Sequence, residues 1–227
     1  MILGISDLHL DYTKEKDMCI FGEHWINYEE KIMDSWHRRV TDQDLVLVPG
    51  DISWAMTLAE AEKDLRRIDR LPGKKILIKG NHDYWWSSIG QLRSLKLDTM
   101  HFLQNDSLVI NGIRFVGTRG WAFPEGEESP DDLKIFNRER IRLSLSFDYP
   151  TGFYEKTVCL LHYPPFQKDG RLNDIGKLVL DRQTNLCVYG HLHGGGLAQV
   201  VERMEGGTQF FCLSADYINF QPRNLYV

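Results

Sequence analysis

Five short apolar runs constrain this chain more than any other feature: Ile2–Ile5, Leu45–Val48, Ile76–Ile78, Thr157–Leu161 and Leu186–Tyr189. Each is followed within a few residues by side chains that carry charge or bind metals. In order these are Ser6-Asp7-Leu8-His9, Gly50-Asp51, Gly80-Asn81-His82-Asp83, a lone His162, and Gly190-His191-Leu192-His193. Short apolar runs without polar alternation read as strands covered on both faces. Helical patterns separate the first three runs. Glu29–Val40 places Ile32, Met33, Trp36 and Val40 at helical spacing, and Thr57–Ile68 places Leu58, Ala61, Leu65 and Ile68 on one face behind a Thr57/Glu60 capping box. Strand and helix in alternation predict βαβ units and a parallel sheet. Ligands of such sheets gather beyond the carboxyl ends of the strands. The polar clusters, spread from residue 6 to residue 193, are therefore expected along one edge.

The middle of the chain changes character. Ser107–Ile110, Asn111-Gly112 and Ile113–Val116 form a hairpin signal, because Asn-Gly suits a two-residue type I′ turn. Residues 121–130 read as a loop and Ser129–Phe147 as a helix with Ser129 as its cap and Pro130 in its first position. Leu197–Arg203 and Gln209–Leu213, joined through Gly206-Gly207, read as a second hairpin. The expected fold is α/β with sheets of mixed direction and helices outside. At 227 residues a single domain over 1–227 is expected, large enough to bury its own core.

Composition narrows the class. Hydrophobic residues make up 42% and charged residues 26%, which excludes a disordered chain. No apolar run reaches the ~18 residues of a membrane span, and the first residues lack a basic segment and a small-residue cleavage site. The four cysteines, Cys19, Cys159, Cys187 and Cys212, show no CxxC spacing, and a cytoplasmic location is expected. A net charge of -5 argues against a dedicated duplex-DNA binder. Lys63, Arg66, Arg67, Arg70, Lys74, Lys75 and Lys79 are interleaved with Asp64 and Asp69, which reads as a solvated face.

The strand-end side chains are of the types that bind first-row divalent ions. Imidazole and carboxylate suit Mn, Fe, Zn, Co or Ni, and thiolates of a structural zinc site are missing from these clusters. Asp7/His9 and His191/His193 place both members of each pair on the same side of an extended segment. Seven potential ligands exceed what one tetrahedral ion takes, which points to two divalent metal ions.

The ordered set Asp7-x-His9, Gly50-Asp51, Gly80-Asn81-His82-Asp83, His162 and Gly190-His191-x-His193 resembles the motifs of the calcineurin-like metallophosphoesterase superfamily. The resemblance implies a four-layer sandwich of two mixed β-sheets flanked by helices, with a dinuclear site at the strand ends. It also implies Asp7, His9 and His193 on one ion, Asn81, His162 and His191 on the other, and Asp51 on both. His82 resembles the family histidine that contacts the phosphate and assists the leaving group, and Asp83 has a supporting role beside the ligands. The implied activity is hydrolysis of a phosphomonoester or phosphodiester by in-line attack of a metal-bridging hydroxide. A small phosphoester is the expected partner, with nucleic acid only as a substrate. Arg119, after a strand, is a candidate phosphate contact. Tyr84, Trp85 and Trp86 either wall the substrate pocket or pack in the core.

Two features separate this chain from relatives within the superfamily. Protein Ser/Thr phosphatases continue the second motif as GDxxDRG, whereas here Trp54 stands at the second aspartate. Lipid A pathway pyrophosphatases share the Asp7-Leu8-His9-Leu10 start but carry arginine at the place of His82. The alternatives are a metal-dependent nuclease, favoured by cleavage of single-stranded DNA, and a non-catalytic interaction module. The complete ligand set with His82 opposes the module.

Overall fold

In chain order the elements are β1 (Ile2–Gly4), α1 (Tyr28–Arg39), β2 (Leu45–Val48), α2 (Leu58–Asp69), β3 (Lys74–Leu77), α3 (Ile89–Ser94), β4 (Met100–Phe102), β5 (Leu108–Ile110), β6 (Ile113–Thr118), α4 (Pro130–Asp148), β7 (Lys156–Leu161), α5 (Asp174–Asp181), β8 (Leu186–Tyr189), β9 (Arg203–Glu205), β10 (Thr208–Cys212) and β11 (Arg223–Leu225). The computed structural model describes residues 1–124 and 129–227, so part of the expected 121–130 loop lies outside the described residues. The strands form two sheets, ordered β11-β1-β2-β3-β4 and β5-β6-β7-β8-β10-β9. In the first, β1 through β4 are parallel and β11 joins antiparallel to β1. In the second, β6, β7, β8 and β10 are parallel, with β5 and β9 antiparallel at the two edges. This is the expected α/β arrangement of two mixed sheets with helices.

The apolar runs lack polar alternation because both faces of each strand are covered. Along β2, Leu45 and Leu47 pack between the sheets, while Val46 and Val48 meet Ile32 and Trp36 of α1 and Ala61, Leu65 and Ile68 of α2. The second sheet repeats the pattern. Val158 and Leu160 of β7 and Leu186 and Val188 of β8 face the first sheet, whereas Cys159, Leu161, Cys187 and Tyr189 face Phe136, Leu143 and Phe147 of α4 and Ile175 and Val179 of α5. Helix, sheet, sheet and helix thus form four layers. Each fully buried leucine, isoleucine or valine in these layers contributes ~1.5–3 kcal/mol relative to an exposed one.

Local signals fix several ends. Thr57 Oγ1 accepts from Glu60 N at 3.4 Å and Glu60 Oε2 accepts from Thr57 N at 3.0 Å, the expected capping box. Asn111 and Gly112 both have positive φ, 51° and 74°, as a type I′ turn requires. The second hairpin turns at Gly206-Gly207 as expected, but its first strand is only Arg203–Glu205. Gly194–Gln199, which overlaps the start of the expected strand, coils instead into a short 3-10 helix. The basic stretch is also not uniformly solvated. Lys75 is fully buried, and its Nζ donates to Leu71 O and Thr99 Oγ1, serving carbonyls left open after the end of α2.

Candidate metal centre

The loops that leave β1, β2, β3, β7 and β8 carry the candidate ligands, and hydrogen bonds lace them together. Asp7 N donates to Gly50 O and His9 N to Asp51 O, each at 3.0 Å. His191 N donates to both oxygens of Asp7, at 3.1 and 3.0 Å, and His82 N to Asp51 Oδ1 at 2.8 Å. Four of the candidates sit in left-handed backbone: Asp7 at φ 60°, His9 at 44°, Asp51 at 51° and His191 at 75°. Non-glycine residues adopt this region rarely and at a cost, and such outliers concentrate at functional sites. Two glycines permit the loops to close. A Cβ on Gly80 would collide with the Asp51 carboxylate and amide, and one on Gly190 with Ser6 Oγ and Asp7 Oδ2.

The candidate side chains come together beyond the strand ends. Atoms of Asp7, His9 and His193 lie within 4.8 Å of one another, and so do atoms of Asp7, Asp51 and His162. Asp51 Oδ2 is 3.7 Å from His9 Nε2 and 3.4 Å from His162 Nε2, between the two groups. His162 Nε2 and His191 Nδ1 both face Asn81 Oδ1, at 2.6 and 2.9 Å. His162 Nδ1 faces Pro49 O at 3.0 Å and so bears a proton, and the Asp51 and Asp7 charges raise the imidazole above its ordinary value against its burial. Imidazole nitrogens, two carboxylates and an amide oxygen crowd together here, with His9 Nδ1 buried and unpartnered and His193 Nε2 3.2 Å from Asp7 Oδ1, a donor set that suits divalent cations. The residues present therefore fit divalent ions.

The electrostatics agree. Burial alone would raise the Asp7 carboxyl, yet the His193 and His162 charges hold it at about 2. Asp51 is likewise held well below the usual carboxylate range, against its burial, by His162 and His9. Burial pushes His9 down to about 4, and burial with the His162 charge pushes His191 down to about 3, leaving both as neutral donors. His193 moves the other way. Burial opposes its charge, but Asp7 and Asp216 outweigh burial and raise it to about 10. Without metal, protons on the histidines balance the buried carboxylates.

Two further residues shape the site. Asp83 touches no candidate ligand side chain. Its carboxylate accepts from Gly80 N (2.7 Å), Asp51 N (2.9 Å), Ile52 N (2.8 Å), Ser53 N (3.3 Å) and Trp85 Nε1 (3.1 Å), fastening the loop after β2 to the loop after β3. Burial and the Asp51 charge raise it to about 6, with the backbone amides opposing. Asp216, which sequence reasoning overlooked, accepts from His193 Nδ1 at 3.1 Å and from Gly194 N at 3.1 Å, and His24 Nε2 lies 3.7 Å away. It stands just beyond β10, so the same signal was there to read: an apolar strand closed by a polar cluster, Ser214-Ala215-Asp216.

Trp54, which follows Asp51 in the second motif, packs against the candidate site. Its ring stacks on His9 at 4.8 Å and lies 4.4 Å from the His82 ring. His82 Nδ1 is buried without a partner, and burial lowers the imidazole below its ordinary value. Trp85 and Trp86 pack in the core, whereas Tyr84 is exposed beside His82. Arg119 lies over the Trp121 ring at 4.6 Å and reaches Glu139 at 3.5 Å. No helix among the described residues is long and apolar enough to cross a membrane.

A family model described as calcineurin-like phosphoesterase matches residues 1–195. Among solved structures, the protein of unknown function AQ665 from Aquifex aeolicus is 17% identical with a TM-score of 0.52, over 98% of this chain and 94% of that one. Phosphopantetheinyl hydrolase (PptH) from Mycobacterium tuberculosis is 16% identical with a TM-score of 0.49, over 92% of this chain and 86% of that one. The first of these likenesses shows a shared fold. A search of curated proteins finds no match.

Proposed function

The chain belongs to the calcineurin-like phosphoesterase family, and on that premise we propose that it is a dinuclear phosphohydrolase acting on a phosphomonoester or phosphodiester of a small molecule. Membership and the buried Asp/His groups make it a metal-dependent phosphoester hydrolase in general terms. One domain spans residues 1–227. The observation that carries the finer reading is the meeting of His162 Nε2 and His191 Nδ1 at Asn81 Oδ1, beside the separate group of Asp7, His9 and His193. Asp7, His9 and His193 would hold one ion, Asn81, His162 and His191 the other, and Asp51 would serve both. Two divalent ions supply Lewis acidity toward phosphoryl oxygens and activation of water near neutral pH.

The chain's own groups do the rest. The left-handed turns and the hydrogen bonds to Asp7 and Asp51 hold the ligands in place before any ion arrives, so little reorganisation is needed. His82 stands beside His9, ring centroids 5.7 Å apart, and donates to the departing oxygen. With Trp54 against it and no carboxylate in contact, His82 is neutral in the resting site. An arriving phosphate dianion is then the charge that raises it and lets it act as an acid.

The test is to strip the protein with chelator, reload it with Mn²⁺, Fe²⁺, Zn²⁺, Co²⁺ or Ni²⁺, and assay p-nitrophenyl phosphate and its bis-ester. Turnover with two ions bound per chain, lost in Asp51→Asn, is expected. No turnover of either ester with any of the metals overturns the proposal.

A further inference from the structure

Beside the metal centre lies a second cavity of about 280 Å³, lined in part by Lys79, Arg119, Arg138, Glu139 and Arg142. It sits past the ends of β3 and β6, under α4, and shares two backbone segments with the candidate ligands. Lys79 is two residues before Asn81, a reach of at most ~7 Å along the chain. The carbonyl of Arg119 accepts from His162 N at 3.1 Å and Tyr163 N at 2.9 Å.

The charges on this wall do not balance. Glu139 is its buried carboxylate, and that group is already taken: Thr118 Oγ1 donates to it at 2.6 Å, Arg142 at 2.7 Å, and Arg119 reaches it at 3.5 Å. Among the described residues, Lys79 and Arg138 have no ion-pair or hydrogen-bond partner, and the buried Arg119 Nε donates to nothing. Four cations therefore converge around one saturated carboxylate. Like charges brought together in a concave, half-buried setting repel one another, and an anion with several acceptor oxygens relieves that repulsion while meeting the free donors.

We propose that this cavity is a second anion subsite, which takes a phosphate group carried on the same substrate molecule whose phosphoester lies at the metal centre. The inference rests on the proposed hydrolase reading and sharpens it to substrates with two phosphates, such as a sugar bisphosphate. Lys79 and Arg138 supply the open donors, and Arg119 presents its planar guanidinium from the Trp121 ring.

Phosphate binding by the cavity needs neither metal nor turnover, so it is tested apart from catalysis. Calorimetric titration of the chelator-stripped protein with inorganic phosphate is compared in wild type, Arg138→Ala, Lys79→Ala and Arg138→Lys. Arg138 is exposed, so its loss should leave the fold intact, which circular dichroism checks. Binding in wild type, weakened about tenfold or more in either alanine variant and partly restored by lysine at 138, is expected. No binding, or equal binding in all four proteins, overturns the subsite even if the loaded enzyme hydrolyses phosphoesters. A second arm compares kcat/KM for a hexose bisphosphate and a hexose monophosphate. A fall of about tenfold in that ratio in Arg138→Ala assigns the phosphate to the substrate. An unchanged ratio overturns that assignment and makes the cavity a site for free phosphate.

Discussion

Trp54 lies against His82, ring centroids 4.4 Å apart and tilted by 52°. An indole gives the imidazole a wall but no charge. In the metal-free protein His82 is therefore expected to titrate below the ordinary histidine value, as burial dictates. Replacing Trp54 by aspartate is expected to raise that midpoint, since a carboxylate within ~4–6 Å favours the charged ring. NMR titration of the His82 ring in both proteins decides it. An unshifted midpoint in Trp54→Asp contradicts the account.

Asp216 holds His193 through its Nδ1, which turns Nε2 toward Asp7 Oδ1, 3.2 Å away within the candidate metal site. Removing such a partner costs ~10–100-fold in metal affinity. Asp216→Asn is expected to lie in that range by equilibrium dialysis against Mn²⁺, with the metal-free protein still folded by circular dichroism. Wild-type affinity in this variant removes the positioning role.

The metal-free protein should be most stable near neutral pH. His193 has its value raised to about 10, so the stability it contributes is full below the unfolded value near 6.5 and is lost as pH climbs through about 10. His9 is depressed to about 4, so its contribution is full above 6.5 and is lost as pH falls through about 4. Chemical denaturation at several pH values measures both limbs. The same protonated His193 must lose its proton when an ion binds, so affinity rises with pH and at least one proton is released at pH 7. Calorimetry in buffers of different ionisation enthalpy counts it.

Gly190→Ala drives a methyl group into Ser6 Oγ and Asp7 Oδ2. Since Asp7 is a candidate ligand whose carboxylate the methyl group would displace, the change should weaken metal binding by more than tenfold. It should also destabilise the protein by about 1–3 kcal/mol, the usual cost of overpacking. Dialysis and thermal melts read the two effects separately.

Why the site was legible and parts of the fold were not follows from burial. The runs closing at Asp7, Asp51, Asn81, His162 and His191 are apolar because sheet and helix cover both faces, and the polar residues that end them have no packing reason to be there. β4, Met100-His101-Phe102, left no such mark, since His101 is exposed and the strand is three residues long. β11, Arg223-Asn224-Leu225, is an edge strand held by its pairing with β1 rather than by its own composition. The Gly206-Gly207 turn points to a strand over Leu197–Arg203, but the three glycines at 194–196 allow a tighter coil at its start. The cavity beside the metal centre was invisible because Lys79, Arg119 and Arg138 come from three distant parts of the chain, Arg119 marked only by its place after a strand and Lys79 only as the end of a basic stretch.

The central claim is that two ions sit side by side at the strand ends. Anomalous X-ray diffraction from crystals of the Mn²⁺- or Zn²⁺-loaded protein tests it most directly. The account predicts two peaks, one among Asp7, His9 and His193 and one among Asn81, His162 and His191, with the Asp51 carboxylate between them. A single peak, or none within these side chains, would contradict it.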